Sequence, residues 1–152
     1  MVKFDIARVE TVLPMKHARE VLESFHQAGS LIVYLTGRMD DQLKEITDTW
    51  LVENSFVGAG SVVYFQSKHG PWTWKNYLRF KIVEARRLAR RHPGYLPVIV
   101  DDNEDVVKRA RKAGFHVALV RQPADWIALQ EKYLRSRVVV QLEDFASSST
   151  SL

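Results

Sequence analysis

Two patterns of hydrophobic and polar residues alternate along this chain of 152 residues. Short runs rich in valine and isoleucine have the length of buried strands, and the longer segments between them repeat apolar residues at helical spacing. This alternation is typical of an α/β fold built on a parallel sheet. It predicts one domain over residues 1–146, followed by a serine-rich tail at 147–152 that we expect to be disordered.

The same patterns predict the individual elements. Strands are expected at 2–6, 31–35, 98–100, 116–120 and 137–142, with a short strand at 61–65. Helices are expected at 15–28, 39–53 and 75–92, from the segment DDNEDV to Gly114, and at 123–134. Gly29 is expected to close the first helix, on which Val21, Leu22 and Phe25 share one face, and Pro123 to start the last. The sequence TGR at 36–38 is predicted to be the turn that leaves the second strand.

The composition excludes several classes of chemistry. The chain has no cysteine, which excludes disulfides, thiolate catalysis and cysteine-bound zinc. Its apolar runs are too short to cross a membrane, and its N-terminus lacks the pattern of a secretory signal, so we expect a cytoplasmic protein without membrane partners. The 22 Lys and Arg exceed the 18 Asp and Glu, which gives a formal charge of +4. This excess favours anionic partners such as phosphorylated small molecules or nucleic acid.

Polar residues follow three of the predicted strands directly. They are Asp5, then Thr36 with Gly37 and Arg38, and then Asp101 with Asp102. Because ligands of parallel α/β sheets bind at the carboxyl ends of strands, we expect these groups to form one site. Carboxylates gathered at one edge repel one another, and Mg²⁺, which prefers oxygen ligands, offsets that repulsion. An aspartate beside Mg²⁺ can attack phosphorus, with a threonine hydroxyl and a lysine ammonium holding the phosphate oxygens.

Four segments, in this order and at these separations, resemble the motifs of the haloacid dehalogenase (HAD) superfamily of phosphohydrolases. They are KFDIA, LIVYLTGR, the lysine of YLRFKIVEA, and PVIVDDNEDV. The resemblance spans roughly residues 3–120, and LTGR and VDDNEDV are its most specific parts. Within the superfamily, the chain is most similar to the polynucleotide phosphatase and nucleotidase-like branches. The resemblance implies a three-layer, Rossmann-like parallel sheet of about five strands. Because Thr36 comes only 31 positions after Asp5, we expect no large cap domain.

The resemblance also implies a role for each matching residue. Asp5 would be the nucleophile and a metal ligand, Thr36 a phosphate binder beside Gly37 and Arg38, and Lys81 the stabilising lysine. Lys75 competes with Lys81 for that role. The Mg²⁺ ligands would be Asp5, the backbone carbonyl of Ala7, and Asp101 or Asp102, with Asp105 orienting the metal-bound waters. The implied activity is phosphomonoester hydrolysis through an aspartyl phosphate, on a phosphorylated small molecule or a nucleic-acid end.

The first motif departs from the pattern of the superfamily, which has Asp, any residue, Asp, Gly and Thr. Here Asp5 is followed by Ile6, Ala7, Arg8 and Val9. Ala7 keeps a backbone carbonyl for the metal but lacks the carboxylate that acts as general acid and base, a function typically worth 10²- to 10⁴-fold in rate. Two hypotheses therefore stand: a phosphohydrolase of weakened turnover, and an inactive HAD-like binding or regulatory module.

Other interpretations of the same residues remain. Asp5 can cap a turn, and Asp101 and Asp102 can cap a helix. VDDNEDV is also similar to the acidic pocket of response-regulator receiver domains, but no strand ending in aspartate follows it at the required distance. Trp72 and Trp74 either stack on bases or pack their loop onto the core.

Overall fold

The predicted alternation of strands and helices is confirmed by a computed structural model, which describes residues 15–56, 62–133 and 138–142, with the backbone alone for 38–43 and 138–142. The helices are α1 (Ala18–Gln27), α2 (Asp40–Glu53), α3 (Trp74–Arg91), α4 (Glu104–Lys112) and α5 (Pro123–Tyr133). The strands are β1 (Leu31–Met39), β2 (Val62–Phe65), β3 (Leu96–Asp101), β4 (His116–Leu119) and β5 (Val138–Leu142). A 3₁₀ turn at Ser67–His69 precedes α3. The chain is therefore an α/β protein.

All the strand pairs described are parallel, in the order β2-β1-β5-β3-β4. The last strand of the chain, β5, lies between β1 and β3, and Leu142 is aligned with Tyr34 on one side and Val100 on the other. The carboxyl ends of β1, β5 and β3 are consequently neighbours at one edge of the sheet. The predicted strand at 2–6 lies outside the described residues.

Helices cover both faces of this sheet. Side chains alternate along a strand, so Ile32 and Tyr34 join the cluster formed with α1, α2 and α5, whereas Val33 and Leu35 join the cluster formed with α3 and α4. The predicted apolar face of α1 is confirmed, because Val21, Leu22 and Phe25 are all buried. The carboxyl edge of the sheet thus lies between these two side-chain clusters.

Local sequence signals define several helix ends. Gly29 has a φ of 93°, the left-handed conformation that favours glycine, and follows the end of α1 as predicted. Pro123 is the first residue of α5, also as predicted. Thr73 caps α3 by accepting a hydrogen bond from the Asn76 amide. Within the described ranges, no helix is both long and apolar enough to span a membrane.

The turn predicted at TGR is wrong. β1 continues through residues 36–38 to Met39, because β2 supplies pairing partners at this end of the sheet. Thr36 is aligned with Tyr64 and Met39 with Phe65, and the register shifts between the two pairs. This pairing is a long-range contact that the local sequence does not encode. Similarly, Trp74 begins α3 instead of lying in a loop.

Candidate functional site

A buried ion pair joins α3 to the carboxyl edge of the sheet. The Lys81 ammonium donates a hydrogen bond to the backbone carbonyl of Leu35 in β1. The same nitrogen lies 3.4 Å from Oδ2 of Asp101, the last residue of β3. Lys81 therefore links β1 to β3 across the end of the central strand β5.

Lys81 is held there by the apolar face of its helix. Tyr77, Leu78, Ala85 and Leu88 are buried at helical spacing around it, so the stem of Lys81 belongs to the face that packs on the sheet. A lysine in such a position extends its ammonium to the nearest polar groups. Here those groups are a strand carbonyl and a carboxylate.

Asp101 has an unusual environment for a carboxylate, because it is 1% exposed. Its Oδ1 accepts a hydrogen bond of 2.9 Å from the Asn103 amide. Its Oδ2 meets no full hydrogen-bond criterion with the described residues, and the cation nearest to it is the Lys81 ammonium at 3.4 Å. Burial raises the pKa of Asp101 to about 6, although the positive charge of Lys81 acts to lower it. One anionic oxygen is thus desolvated and not fully satisfied.

The three residues predicted to follow the second strand, Thr36, Gly37 and Arg38, come directly after the Leu35 carbonyl that Lys81 binds. Thr36 is fully buried in β1, one residue beyond the carbonyl that Lys81 binds. The Gly37 carbonyl accepts a hydrogen bond of 3.0 Å from Nε1 of Trp72. A Cβ on Gly37 would lie 2.6 Å from the ring of Tyr77, so glycine is needed for the close approach of this ring. Arg38 continues β1 and is described through its backbone.

The structure places the two candidate lysines, and the two adjacent aspartates, in different surroundings. Lys75 is exposed, whereas Lys81 is the lysine beside Asp101. Asp102 is half-buried, and its backbone carbonyl accepts a hydrogen bond from Arg121.

The cap of α4 is neither aspartate of the DD pair. It is Asn103, whose side chain accepts hydrogen bonds from the amides of Asp105 and Val106. Asp105 is exposed in the first turn of this helix. Asp5 and Ala7 lie outside the described residues, so their predicted roles stay predictions.

An aromatic wall of Trp72, Trp74 and Tyr77 stands next to Gly37. Trp72 and Tyr77 are nearly parallel at a centroid distance of 5.8 Å, and Trp74 is tilted against Tyr77 at 5.2 Å. The Lys81 ammonium lies 5.6 Å from the centroid of the Tyr77 ring. Trp72 packs onto the core as one interpretation predicted, while Trp74 is 40% exposed. Tyr77 was not predicted, although its place four residues before Lys81 puts both on one helix face.

Comparison with known protein families, with curated proteins and with solved structures finds no match to this chain. Any functional assignment therefore depends on the motifs and on the geometry of these residues.

A second buried polar contact lies one helical turn further along α3. Nε2 of His69 is 3.2 Å from Oε1 of Glu84, and Oε2 of Glu84 is 3.5 Å from Arg87. The sequence offers no signal for this pair, because its members are fifteen residues apart and His69 belongs to an irregular segment. This contact holds the 3₁₀ turn against α3, and with it the chain segment that leads to Trp72.

The implied Mg²⁺ can be tested against the donors present. No three His, Asp or Glu side chains of the described residues gather as a metal site. Asp101 fits the role of one ligand, because its buried Oδ2 is an oxygen donor that accepts no hydrogen bond from the described residues. Asp5 and Ala7, which the resemblance implies as the other ligands beside Asp102, lie outside the part described.

Proposed function

We propose that this protein is a HAD-like, Mg²⁺-dependent phosphohydrolase with a three-layer, Rossmann-like sheet and no large cap domain. The observation that carries the proposal is the buried pair of Lys81 and Asp101, which joins β1 and β3 at the carboxyl edge of the sheet. The segments YLRFKIVEA and VDDNEDV predict a lysine and an aspartate at this edge, next to the threonine of LTGR. The excess of basic residues suits an anionic substrate.

In the proposed reaction, a carboxylate oxygen of Asp5 forms a bond to phosphorus while the bond from phosphorus to the leaving oxygen breaks. Water then attacks the aspartyl phosphate, releasing inorganic phosphate and restoring the carboxylate. Lys81, Thr36, Gly37 and Arg38 hold the phosphate oxygens and offset their charge. Mg²⁺, held by Asp5, the Ala7 carbonyl and Asp101 or Asp102, would supply further neutralisation of charge.

Proton transfer is the weak step of this proposal. Because Ala7 has no carboxylate, the leaving oxygen must take its proton from solvent, and the attacking water has no positioned base. We expect aryl phosphates, whose leaving groups need little protonation, to be hydrolysed faster than alkyl phosphates. The ratio of the two rates measures the loss at Ala7.

Because β5 lies at the centre of the sheet, a carboxylate that follows it in the sequence is a second candidate for the nucleophile besides Asp5. Glu143 and Asp144 follow β5 directly in the sequence and, like Asp5, lie outside the described residues. The nucleophile must come from a chain segment that reaches the ends of β1 and β3. Variants of both aspartates are therefore needed to assign it.

The test is hydrolysis of p-nitrophenyl phosphate with Mg²⁺, comparing the wild type with Asp5→Asn, Asp144→Asn and Asp101→Asn. We expect Asp101→Asn and one of the other two variants to lose at least 100-fold in rate. Exposed Asp105→Asn serves as the matched control. Activity unchanged in all three site variants would contradict the proposal.

The alternative function is a HAD-like binding or regulatory module without catalysis, favoured by Ala7 and by the missing glycine after it. The variant Ala7→Asp separates the two functions. A gain in turnover supports a hydrolase weakened at one position. No turnover in either protein, together with no thermal stabilisation by Mg²⁺ or phosphate, supports the module.

A further inference from the structure

The exposed face of α3 has one sign of charge. Lys75, Arg79, Arg86 and Arg90 are all exposed, and their spacing puts them within a sector of about 60° over a length of about 22 Å. The only acidic residue of the helix, Glu84, is buried and directed to His69 and Arg87. No described carboxylate forms a salt bridge with these four cations. The face is therefore a basic stripe, with the exposed apolar Val83 between Arg79 and Arg86.

Trp74 stands at the end of this stripe that is nearest the site. It is the first residue of α3 and 40% exposed, which makes it one of the few large hydrophobic residues on the described surface. Its ring rests on Tyr77, whose own ring touches Gly37 and lies beside Lys81. A rigid aromatic surface thus leads directly from solvent to the carboxyl edge of the sheet.

A groove of about 370 Å³ beside the stripe completes the surface, lined among others by Lys68, Asn76, Arg79 and Phe80. The groove offers the cationic donors Lys68 and Arg79, while Phe80 is buried at its base. Aromatic stacking combined with a basic track is the recognition chemistry of single-stranded nucleic acids. A duplex hides its base faces, and a peptide of acidic residues alone has no planar ring to stack on Trp74.

We propose that α3 binds a single-stranded nucleic acid, with a base stacked on Trp74 and the backbone following Lys75, Arg79, Arg86 and Arg90. The placement of the terminal phosphate of that strand at Thr36, Lys81 and Asp101 rests on the proposed function. The strand binding itself does not, because it uses residues outside the catalytic group. The substrate class is then a phosphorylated strand end.

The test is fluorescence anisotropy of labelled 12-mer oligo(U) and oligo(dT) that have no terminal phosphate, in buffer with a chelator. We expect the logarithm of the association constant to fall linearly with the logarithm of the salt concentration. The slope should be about 3, because each of four phosphate contacts contributes ~0.7. Trp74→Leu should weaken binding about tenfold and Trp74→Phe much less, because a ring restores stacking. Ile127→Ala, another exposed apolar residue, is the matched control.

Variants that remove positive charge test the basic stripe separately from Trp74. The double variant Arg86→Ala and Arg90→Ala should halve the salt slope, whereas Lys108→Ala with Arg111→Ala, which removes equal charge from exposed positions on α4, should leave it unchanged. Circular dichroism confirms that each variant is folded. Equal binding by Trp74→Leu and the wild type, or equally tight binding of duplex, heparin or poly-glutamate, would overturn the proposal.

The two proposals fail separately in these experiments. Strand binding that persists without any hydrolysis of p-nitrophenyl phosphate overturns the proposed function alone. Hydrolysis that persists without strand binding overturns the inference about α3 alone. Binding that tightens when a terminal phosphate is added, and loses this gain in Lys81→Met, supports both.

Discussion

Helix α3 buries two charged side chains, Lys81 and Glu84, and their surroundings differ. Both carboxylate oxygens of Glu84 have a partner, His69 for Oε1 and Arg87 for Oε2. Lys81 instead faces Asp101, whose Oδ2 accepts no hydrogen bond from the described residues. A buried polar group without a hydrogen bond is costly and uncommon in folded proteins, where strain, a catalytic role or a bound water or ion accounts for it. The two buried charges of α3 therefore differ in how completely their partners are hydrogen-bonded, and the unsatisfied oxygen is at Asp101.

The largest effect is expected from Lys81→Met, which keeps the apolar stem and removes the charge. Asp101 would then be a buried carboxylate without its cation, which costs about 3–5 kcal/mol at pH 8. At pH 5 the loss should be smaller, because Asp101 takes up a proton, its pKa rising above about 6 without Lys81. Urea unfolding at both pH values measures this. Lys75→Met, exposed on the same helix, should change stability by less than about 0.5 kcal/mol. If Lys81→Met lowers the free energy of unfolding equally at both pH values, the effect does not come from the charge of Asp101.

A somewhat smaller effect concerns the pH dependence of stability. The pKa of Asp101 is raised in the folded state from 3.8 to about 6, so the folded state binds the proton more tightly than the unfolded state. The stability from this group is fully present below about pH 4 and is lost as the pH rises through about 6. The free energy of unfolding of the wild type, compared with that of Asp101→Asn, should therefore fall by roughly 3 kcal/mol over this interval, since one pKa unit is about 1.4 kcal/mol.

The measurement is urea unfolding of both proteins between pH 4 and 7 in the presence of a chelator. Asp102→Asn is the control, because Asp102 is half-buried and next in the chain. A difference between wild type and Asp101→Asn that stays constant with pH would show that Asp101 does not titrate in this interval.

The third prediction addresses the satisfied pair. Glu84→Gln keeps the shape of the side chain and should cost about 2 kcal/mol, since His69 and Arg87 lose a buried charged acceptor. Because the described partners of Glu84 are His69 and Arg87 and not Asp101, we expect the thermal stabilisation of the wild type by Mg²⁺ to persist in Glu84→Gln and to vanish in Asp101→Asn. Differential scanning fluorimetry with and without Mg²⁺ compares them. Loss of the response in Glu84→Gln would place the pair within the site.

The sequence predicts most of the fold because its signals are local. Periodicity locates the strands and helices, Pro123 and Gly29 define helix ends, and the apolar face of α1 follows from spacing. The extension of β1 to Met39 could not be predicted, because it depends on pairing with β2. The central place of β5 is likewise a choice among strand orders that local patterns leave open.

The candidate site was predictable to a similar extent. Lys81 is distinguishable from Lys75 by helical phase alone, since it falls in line with Tyr77 and Leu88. The contact between Tyr77 and Gly37 joins residues forty positions apart, and no sequence pattern signals it. Residue types and helical phase therefore locate the chemistry, while the packing around it requires the fold.

The smallest effect is expected at this unpredicted contact. In Gly37→Ala the new Cβ would approach the Tyr77 ring to 2.6 Å, closer than van der Waals contact, and such overpacking costs about 1–2 kcal/mol. The cost should nearly disappear in the background Tyr77→Leu, which removes the ring edge, so that the two substitutions are non-additive. Urea unfolding of the four proteins gives the coupling energy. If Gly37→Ala lowers the free energy of unfolding equally in the wild type and in the Tyr77→Leu background, then the strand, and not the ring, requires glycine. If the loss depends on residue 77, the aromatic wall packs directly on β1, beside the carbonyl that binds Lys81.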